Sequence, residues 1–279
     1  MSRFGGLRQR LPTAIVLAVA LLLVLFALPP TYTLLLVALA IVGGAWEWSA
    51  FLNLPRRGPR FAYLLLVTSG LLLGWWLTST SAALATLLGL AALWWLAALG
   101  WLMLAPARGG RVATALAGLF ALIPTGVALA WLRLEEQGAW LVLLALGLVM
   151  AADIGACFAG HLFGRSKLAP QVSPGKTWEG VFGGCVAALL VAGIAARLLG
   201  WPLLQLLLLA LVSAAFSVVG DLTESLMKRH SGLKDSGHLF PGHGGVLDRF
   251  DSLSAGVPVF VLGLLQSGLI AGPSAAVFE

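Results

Sequence analysis

Long apolar stretches are the feature that most restricts how this 279-residue chain can fold. Runs of about 17–25 mostly apolar residues recur along it, each long enough to cross roughly 30 Å of hydrocarbon. Backbone polar groups in lipid must pair within their own segment, so such runs form helices. The composition agrees, since 60% of the residues are hydrophobic and 10% are charged. We therefore predict an all-α polytopic membrane protein.

Proline and glycine pairs separate the apolar runs, as at Pro29–Pro30 and Gly109–Gly110. About nine transmembrane helices are predicted, over residues 13–28, 31–51, 61–78, 82–104, 112–132, 139–159, 177–199, 203–227 and 252–270. Residues 1–135 form an N-terminal membrane region of five spans. We expect residues 136–279 to form a catalytic membrane region of four spans with two polar loops, because the ionisable residues within and between spans concentrate there. In the first five spans Glu47 is the only acid, and we interpret it as a solvated carboxylate at a helix end.

Basic residues orient the chain in the membrane. When the connections between spans are assigned alternately to the two sides, one side holds all Lys and Arg residues except Arg133 and Arg197. The positive-inside rule then predicts a cytoplasmic N-terminus, cytoplasmic polar loops and a C-terminus outside. This asymmetry also explains most of the net charge of +6, so we predict no nucleic-acid partner.

The first polar loop follows Asp153, an acid placed inside the sixth span. Ionisable residues within a span are costly and are functional by default. Ser173 and Pro174 are typical of a helix N-cap and first helical position, which predicts that the seventh span begins there. Lys176 and Thr177 would then lie in the first turn, where free N–H groups and an ammonium group favour phosphate binding.

The second polar loop carries carboxylates on two predicted helices. Helical spacing places Asp221, Ser225 and Lys228 on one face, and Asp248 and Asp251 form a pair at the start of the last span. Carboxylates from neighbouring helices with open positions for phosphate oxygens suit Mg²⁺. We predict Asp221, Asp248 and Ser225 as metal ligands, with Asp153 and Asp251 as further candidates and a second cation left open.

Between these helices lies a glycine-rich turn with basic residues around it. Glycines let the backbone approach a ligand and present N–H groups to an anion. Cationic side chains provide the field that phosphoryl transfer requires. The predicted substrate-binding residues are Ser173, Lys176, Thr177, Ser225, Lys228, Arg229, Lys234, His243, Gly244, Gly245 and Arg249.

The ordered run of these residues resembles the signature of CDP-diacylglycerol synthases, also called phosphatidate cytidylyltransferases. The signature residues are Ser225, Lys228, Arg229, Lys234, Asp235, Pro241, His243, Gly244, Gly245, Asp248, Arg249 and Asp251. The segments that begin at Asp153 and at Ser173 are also similar to that family. Cys157 departs from it, because an aromatic residue is expected there.

The resemblance implies that CTP and phosphatidic acid react to give CDP-diacylglycerol and pyrophosphate. The lipid phosphate would attack the α-phosphorus of CTP without a protein nucleophile. Asp221, Asp248, Lys228 and Lys176 are the predicted catalytic residues. We expect an integral protein of the bacterial inner membrane with a cytoplasmic active site, surrounded by membrane lipids and able to form a homodimer.

Two other functions remain open at this stage. A CTP-dependent lipid kinase would transfer the γ-phosphoryl group instead, and the residues of the site are compatible with it. An ion-coupled transporter would use Asp153, Asp221 and Asp248 as its coupling site. The transporter predicts related halves and acids near the midplane, whereas here the halves differ and the acids lie toward one face.

Overall fold

Helices make up almost all of the structure, a computed structural model that describes residues 5–54, 57–233, 236–237 and 245–272, with side chains from residue 15 onward. The elements are α1 (Gly5–Phe26), α2 (Pro30–Phe51), α3 (Arg57–Leu77), α4 (Ser81–Leu104), α5 (Arg111–Leu134), α6 (Gly138–Phe163), β1 (Lys167–Ala169), β2 (Ser173–Thr177), α7 (Trp178–Leu199), α8 (Leu203–Ser231), α9 (Leu247–Phe250) and α10 (Leu253–Gln266).

Each predicted span coincides with a helix, but not every helix is long enough to cross a bilayer. Among the described residues, the seven helices α2 to α8 meet the requirements of length and apolarity. The shorter ones are α10, with 14 residues, and the apolar part of α1 at Ile15–Phe26. The structure therefore supports a mostly helical membrane protein, while the count of nine spans stays a prediction.

Local sequence signals account for several helix ends. Pro30 is the first residue of α2, and the Thr80 hydroxyl caps α4 by accepting the Ala83 N–H at 3.3 Å. Gly200 and Gly232 end α7 and α8 with φ of 68° and 72°. That left-handed conformation is costly for residues with a Cβ. These boundaries follow from chemistry that is readable in the sequence.

Contacts between helix ends define two faces of the bundle. At one face Arg133, near the end of α5, donates to the Thr33 hydroxyl at 3.1 Å and to the Leu25 carbonyl at 3.2 Å. At the other face His230 of α8 contacts the Pro106 carbonyl, between α4 and α5, at 2.8 Å. The polar loops belong to this second face.

Glycines bring α6 and α7 into close contact. A Cβ on Gly183 would collide with Ala159 and the Gly155 carbonyl, so only glycine permits this approach. Helices in lipid associate through such small residues because the solvent supplies no hydrophobic drive. The contact fixes α6, which carries Asp153, against the helix that follows β2.

The long helix α8 and the first region of the chain support the polar face together. With 29 residues and a rise of about 1.5 Å per residue, α8 is about 43 Å long, more than the roughly 30 Å of hydrocarbon. Its last turns therefore extend toward the headgroup layer. Beneath them, Trp48 of α2 packs in one buried apolar cluster with Leu222, Met227 and Leu247. The two predicted regions thus share a core.

Candidate active site

A polar cavity of about 460 Å³ lies between α6, α7, α8 and the segment around α9. Six residues predicted from the sequence line it: Asp153, Lys176, Thr177, Asp221, Asp248 and Asp251. They come from α6, β2, α8 and the α9 segment. Both predicted polar loops therefore contribute to one cavity, although about fifty residues separate them in sequence.

Lys176 and Asp221 form an ion pair across this cavity, joining β2 to α8. The side chains keep 25% and 24% of their surface exposed, so the pair remains open to a ligand. On α8 the Ser225 hydroxyl donates to Asp221 Oδ1 at 3.4 Å. A phosphate entering the cavity would meet the Lys176 ammonium group beside two oxygen-bearing side chains.

The predicted start of α7 is wrong. Ser173 and Pro174 are the first residues of strand β2, which pairs antiparallel with β1 through Lys167–Thr177 and Ala169–Ser173. The helix begins at Trp178, and its N-cap is Thr177, whose hydroxyl accepts the Gly180 N–H at 3.2 Å.

Hairpin pairing explains why the strand wins over the predicted cap. Strand pairing satisfies the backbone groups that precede α7, and the Trp178 N–H is bound by the Ser166 carbonyl at 3.0 Å. Glu179 also accepts the Ser166 N–H at 3.1 Å. The all-α expectation is thus incomplete by one hairpin, and Lys176 reaches the cavity from a strand.

Lys228 lies between two carboxylates. Its ammonium group is 3.1 Å from Glu224 Oε1 and donates to Asp248 Oδ1 at 3.0 Å. The Glu224 side chain is only 3% exposed, so its charge depends on Lys228 for compensation. Lys228 therefore ties the end of α8 to α9 in addition to any contact with a substrate.

Asp248 is held by the backbone on both sides of the glycine-rich turn. Its carboxylate accepts the Gly245 N–H at 2.8 Å and the Ser236 N–H at 3.2 Å. Burial raises the pKa of Asp248, but these N–H donors and Lys228 outweigh it, so the pKa lies below its ordinary value. Asp248 is therefore a fixed anion at neutral pH.

Asp251 has several other carboxylates close to it. Burial raises the pKa of Asp251 well above its ordinary value, and the negative charges of Asp221 and Glu224 raise it further. Asp153 lies close to the same group and accepts the Ser252 hydroxyl at 2.9 Å. A concentration of buried carboxylates around one cavity is unfavourable without added positive charge.

The oxygen ligands of this cavity fit the chemistry of a hard divalent cation such as Mg²⁺. Within the described part of the chain, however, no three His, Cys, Asp or Glu side chains are already placed around a common metal position. Lys176 compensates Asp221 and Lys228 compensates Asp248 instead. The predicted metal ligands Asp221, Asp248 and Ser225 remain a prediction.

The other predicted residues have different positions. Arg229 donates to the Val172 carbonyl at 3.4 Å, which attaches α8 to the hairpin turn. Ser173 lies in β2, and Arg249 lies in α9 beside Asp248. Lys234, His243 and Gly244 lie outside the described residues, as do Asp235 and Pro241 of the signature.

Glu47 has a role that the sequence interpretation missed. The sequence predicts a solvated carboxylate, yet Glu47 is only 8% exposed and contacts the segment that holds Asp248. Ser236, Val246 and Leu247 all donate to it. One sequence signal could have indicated this contact: Glu47 is the only acid in five apolar spans, and an isolated acid in such a region is costly unless it has a specific role.

These features define a class of protein: a bundle of apolar, membrane-spanning helices whose cavity combines Lys176 with the carboxylates of Asp153, Asp221, Asp248 and Asp251, a set of charges suited to phosphate-ester chemistry. The chain belongs to the cytidylyltransferase family, whose family model matches residues 8–266.

Two of three similar relatives match along nearly the full chain, and the third matches about half of it. The phosphatidate cytidylyltransferase of Haemophilus influenzae is 40% identical over 281 residues, covering 91% of this chain and 97% of its own. That of Pseudomonas aeruginosa is 41% identical over 282 residues, covering 94% of this chain and 98% of its own. That of Bacillus subtilis is 43% identical over 138 residues, covering 48% of this chain and 51% of its own.

Proposed function

We propose that this protein transfers the cytidylyl group of CTP to phosphatidate, forming CDP-diacylglycerol and pyrophosphate. The observation that carries the proposal is the cavity where Lys176, Asp221 and Asp248 meet. It lies against α8, a helix long enough to reach the headgroup layer. Family membership and relatives named phosphatidate cytidylyltransferase support it.

The reaction requires no protein nucleophile. A phosphate oxygen of phosphatidate attacks the α-phosphorus of CTP, a new P–O bond forms, and the bond to the oxygen bridging the α- and β-phosphorus atoms breaks. Pyrophosphate leaves with that oxygen. Catalysis then consists of positioning two anionic substrates and stabilising the charge that develops between them.

Side chains that line the cavity or contact its carboxylates divide this work. Lys176 offsets phosphate charge from the hairpin side, and Lys228 orients Asp248 while adding positive charge from α8. Asp221 and Asp248, with Ser225 beside Asp221, would hold Mg²⁺, and Asp153 and Asp251 are the further candidates. When bound, Mg²⁺ neutralises phosphate oxygens and favours departure of pyrophosphate.

A second, apolar cavity of about 240 Å³ lies beside the polar one. Val181 of α7 and Val218 of α8 line both cavities. Trp95 and Phe216 are among the aromatic residues that line the apolar one. A phosphatidate molecule placed across this shared wall would have its phosphate beside Lys176 and the carboxylates and an acyl chain among apolar side chains.

The same arrangement supports the membrane orientation that we propose. Residues of both polar loops line the cavity, and the sequence concentrates basic residues in the connections predicted for that side. Arg133 contacts Thr33 at the opposite face, and Arg197 is in the last turn of α7. We therefore assign the cavity and the N-terminus to the cytoplasmic side of a bacterial inner membrane, where CTP is available. The homodimer stays a prediction.

Labelled nucleotide tests the proposed function directly. The purified protein is incubated with phosphatidate in mixed micelles and with CTP labelled either in the cytidine or in the γ-phosphate. Cytidylyl transfer carries the cytidine label into the lipid and leaves the γ-label in pyrophosphate. Appearance of the γ-label in lipid would establish a lipid kinase instead, and no label in lipid would contradict both functions.

A further inference from the structure

We propose that Glu47, in α2 of the first region, is a positioning residue that holds the segment bearing Asp248 in its active arrangement. Its carboxylate accepts three hydrogen bonds from that segment. The Ser236 hydroxyl donates to Oε2 at 3.0 Å, the Leu247 N–H donates to Oε2 at 2.9 Å, and the Val246 N–H donates to Oε1 at 3.0 Å.

Both sides of the glycine-rich turn meet at this carboxylate. Ser236 and Gly237 precede residues 238–244, whereas Gly245, Val246 and Leu247 follow them. A Cβ on Gly237 or on Gly245 would collide with the Glu47 carboxylate. Glycine at these two positions therefore leaves room for the Glu47 carboxylate where it lies, between the two backbone segments.

The same backbone segments also hold Asp248. Ser236 donates its hydroxyl to Glu47 and its N–H to Asp248, and the Gly245 N–H to Asp248 is adjacent to the Val246 N–H to Glu47. Two carboxylates from distant parts of the chain thus bind one backbone unit from opposite sides. If the Glu47 contacts are lost, the N–H groups that orient Asp248 lose their support.

The chemistry of the contact requires a carboxylate. Each oxygen of Glu47 accepts a hydrogen bond from a backbone N–H, a group that can only donate, and Oε2 also accepts the Ser236 hydroxyl. In the variant Glu47→Gln an NH₂ group replaces one oxygen and points a donor at a donor. Hydrogen bonds to a charged acceptor contribute more than neutral ones. The substitution therefore weakens the contact while the side chain keeps nearly the same size.

The inference rests on the proposed function, because it assigns Glu47 to the positioning of a residue in that site. Its first test needs no activity: hydrogen–deuterium exchange, read by mass spectrometry, of peptides covering residues 245–252. In Glu47→Gln the amides of Val246 and Leu247 should exchange about 10- to 100-fold faster, while peptides from α5 and α6 stay unchanged. Glu136→Gln, an exposed acid at the opposite face, is the matched control and should change neither.

Kinetics provide the second test. Glu47→Gln should lower kcat about 10- to 100-fold with little change in KM for CTP, and should raise the Mg²⁺ concentration needed for half-maximal activity. Ser236→Ala removes one of the three hydrogen bonds and should give a smaller change in the same direction. This milder variant keeps the test decisive if Glu47→Gln does not fold.

The outcomes separate the two proposals. Unchanged exchange at Val246 and Leu247 in both variants overturns the role of Glu47, as does a folded Glu47→Gln protein with normal kcat. Faster exchange in a protein that forms no CDP-diacylglycerol supports the Glu47 contact and contradicts the proposed function instead.

Discussion

Lys176 of the hairpin strand β2 is paired with Asp221 of α8, so two polar loops that are remote in sequence share one charge pair inside the cavity. The two residues are not neighbours on one helix. The pair depends on the hairpin that turns back from α6 before α7 begins.

The first prediction concerns Lys176. Lys176→Ala should lower kcat/KM, with a loss of transition-state stabilisation of about 1.5–3 kcal/mol or more, because it removes a charge-assisted interaction with substrate phosphate. Lys167→Ala is the matched control, since Lys167 is an exposed lysine on the partner strand of the same hairpin. Equal losses in steady-state assays of the two variants would mean that Lys176 contributes only general positive charge.

Asp221 and Asp248 carry the metal prediction. Asp221→Asn or Asp248→Asn should abolish turnover. Membrane insertion and the thermal unfolding temperature should stay the same as in the wild type. Removal of Mg²⁺ with a chelator should stop the wild-type reaction, and re-addition should restore it, because the predicted ligands are carboxylates that favour hard cations. A variant with near-normal activity at limiting Mg²⁺ would remove that residue from the metal site.

Lys228 should affect stability as well as catalysis. Lys228→Met leaves buried Glu224 without its charge partner and should lower the free energy of unfolding by about 3–5 kcal/mol. Adding Glu224→Gln should recover much of that loss, because the uncompensated charge is then removed. Thermal unfolding of both variants, followed by tryptophan fluorescence in detergent, measures this; additive losses would contradict the coupling.

Orientation can be measured with single cysteines in a background lacking Cys157 and Cys185. A cysteine at Leu233, near the end of α8, should be shielded from an impermeant maleimide added outside intact cells. A cysteine at Glu136, between α5 and α6, should react. The reverse pattern would place the cavity on the outer face, away from CTP.

The apolar cavity predicts a chain-length effect. Val218→Trp should obstruct the wall shared by the two cavities and raise KM for long-chain phosphatidate about tenfold, with less effect on a short-chain analogue. Leu204→Trp, a lipid-exposed position on the same helix, is the control. Equal effects on both chain lengths would place the acyl chain elsewhere.

Helix positions and the reactive segment were both accessible from the sequence. Length and apolarity decide locally whether a segment forms a helix in lipid, so each predicted span coincides with a helix. The ordered residues from Ser225 to Asp251 indicated where the candidate site lies, because membrane insertion does not require such a density of polar groups. Alternation of basic residues placed both polar loops on one face, and the structure groups them there.

Other features depended on packing between distant segments. Strand pairing overrode the helix cap expected at Ser173, because tertiary contacts satisfied the same backbone groups. Which helix ends become neighbours depends on close contacts such as Gly155 with Gly183, which the apolar pattern does not encode. For the same reason the sequence predicted an ordinary solvated acid at a helix end for Glu47. Only the packing of α2 against the α9 segment places its carboxylate under the N–H groups of Val246 and Leu247.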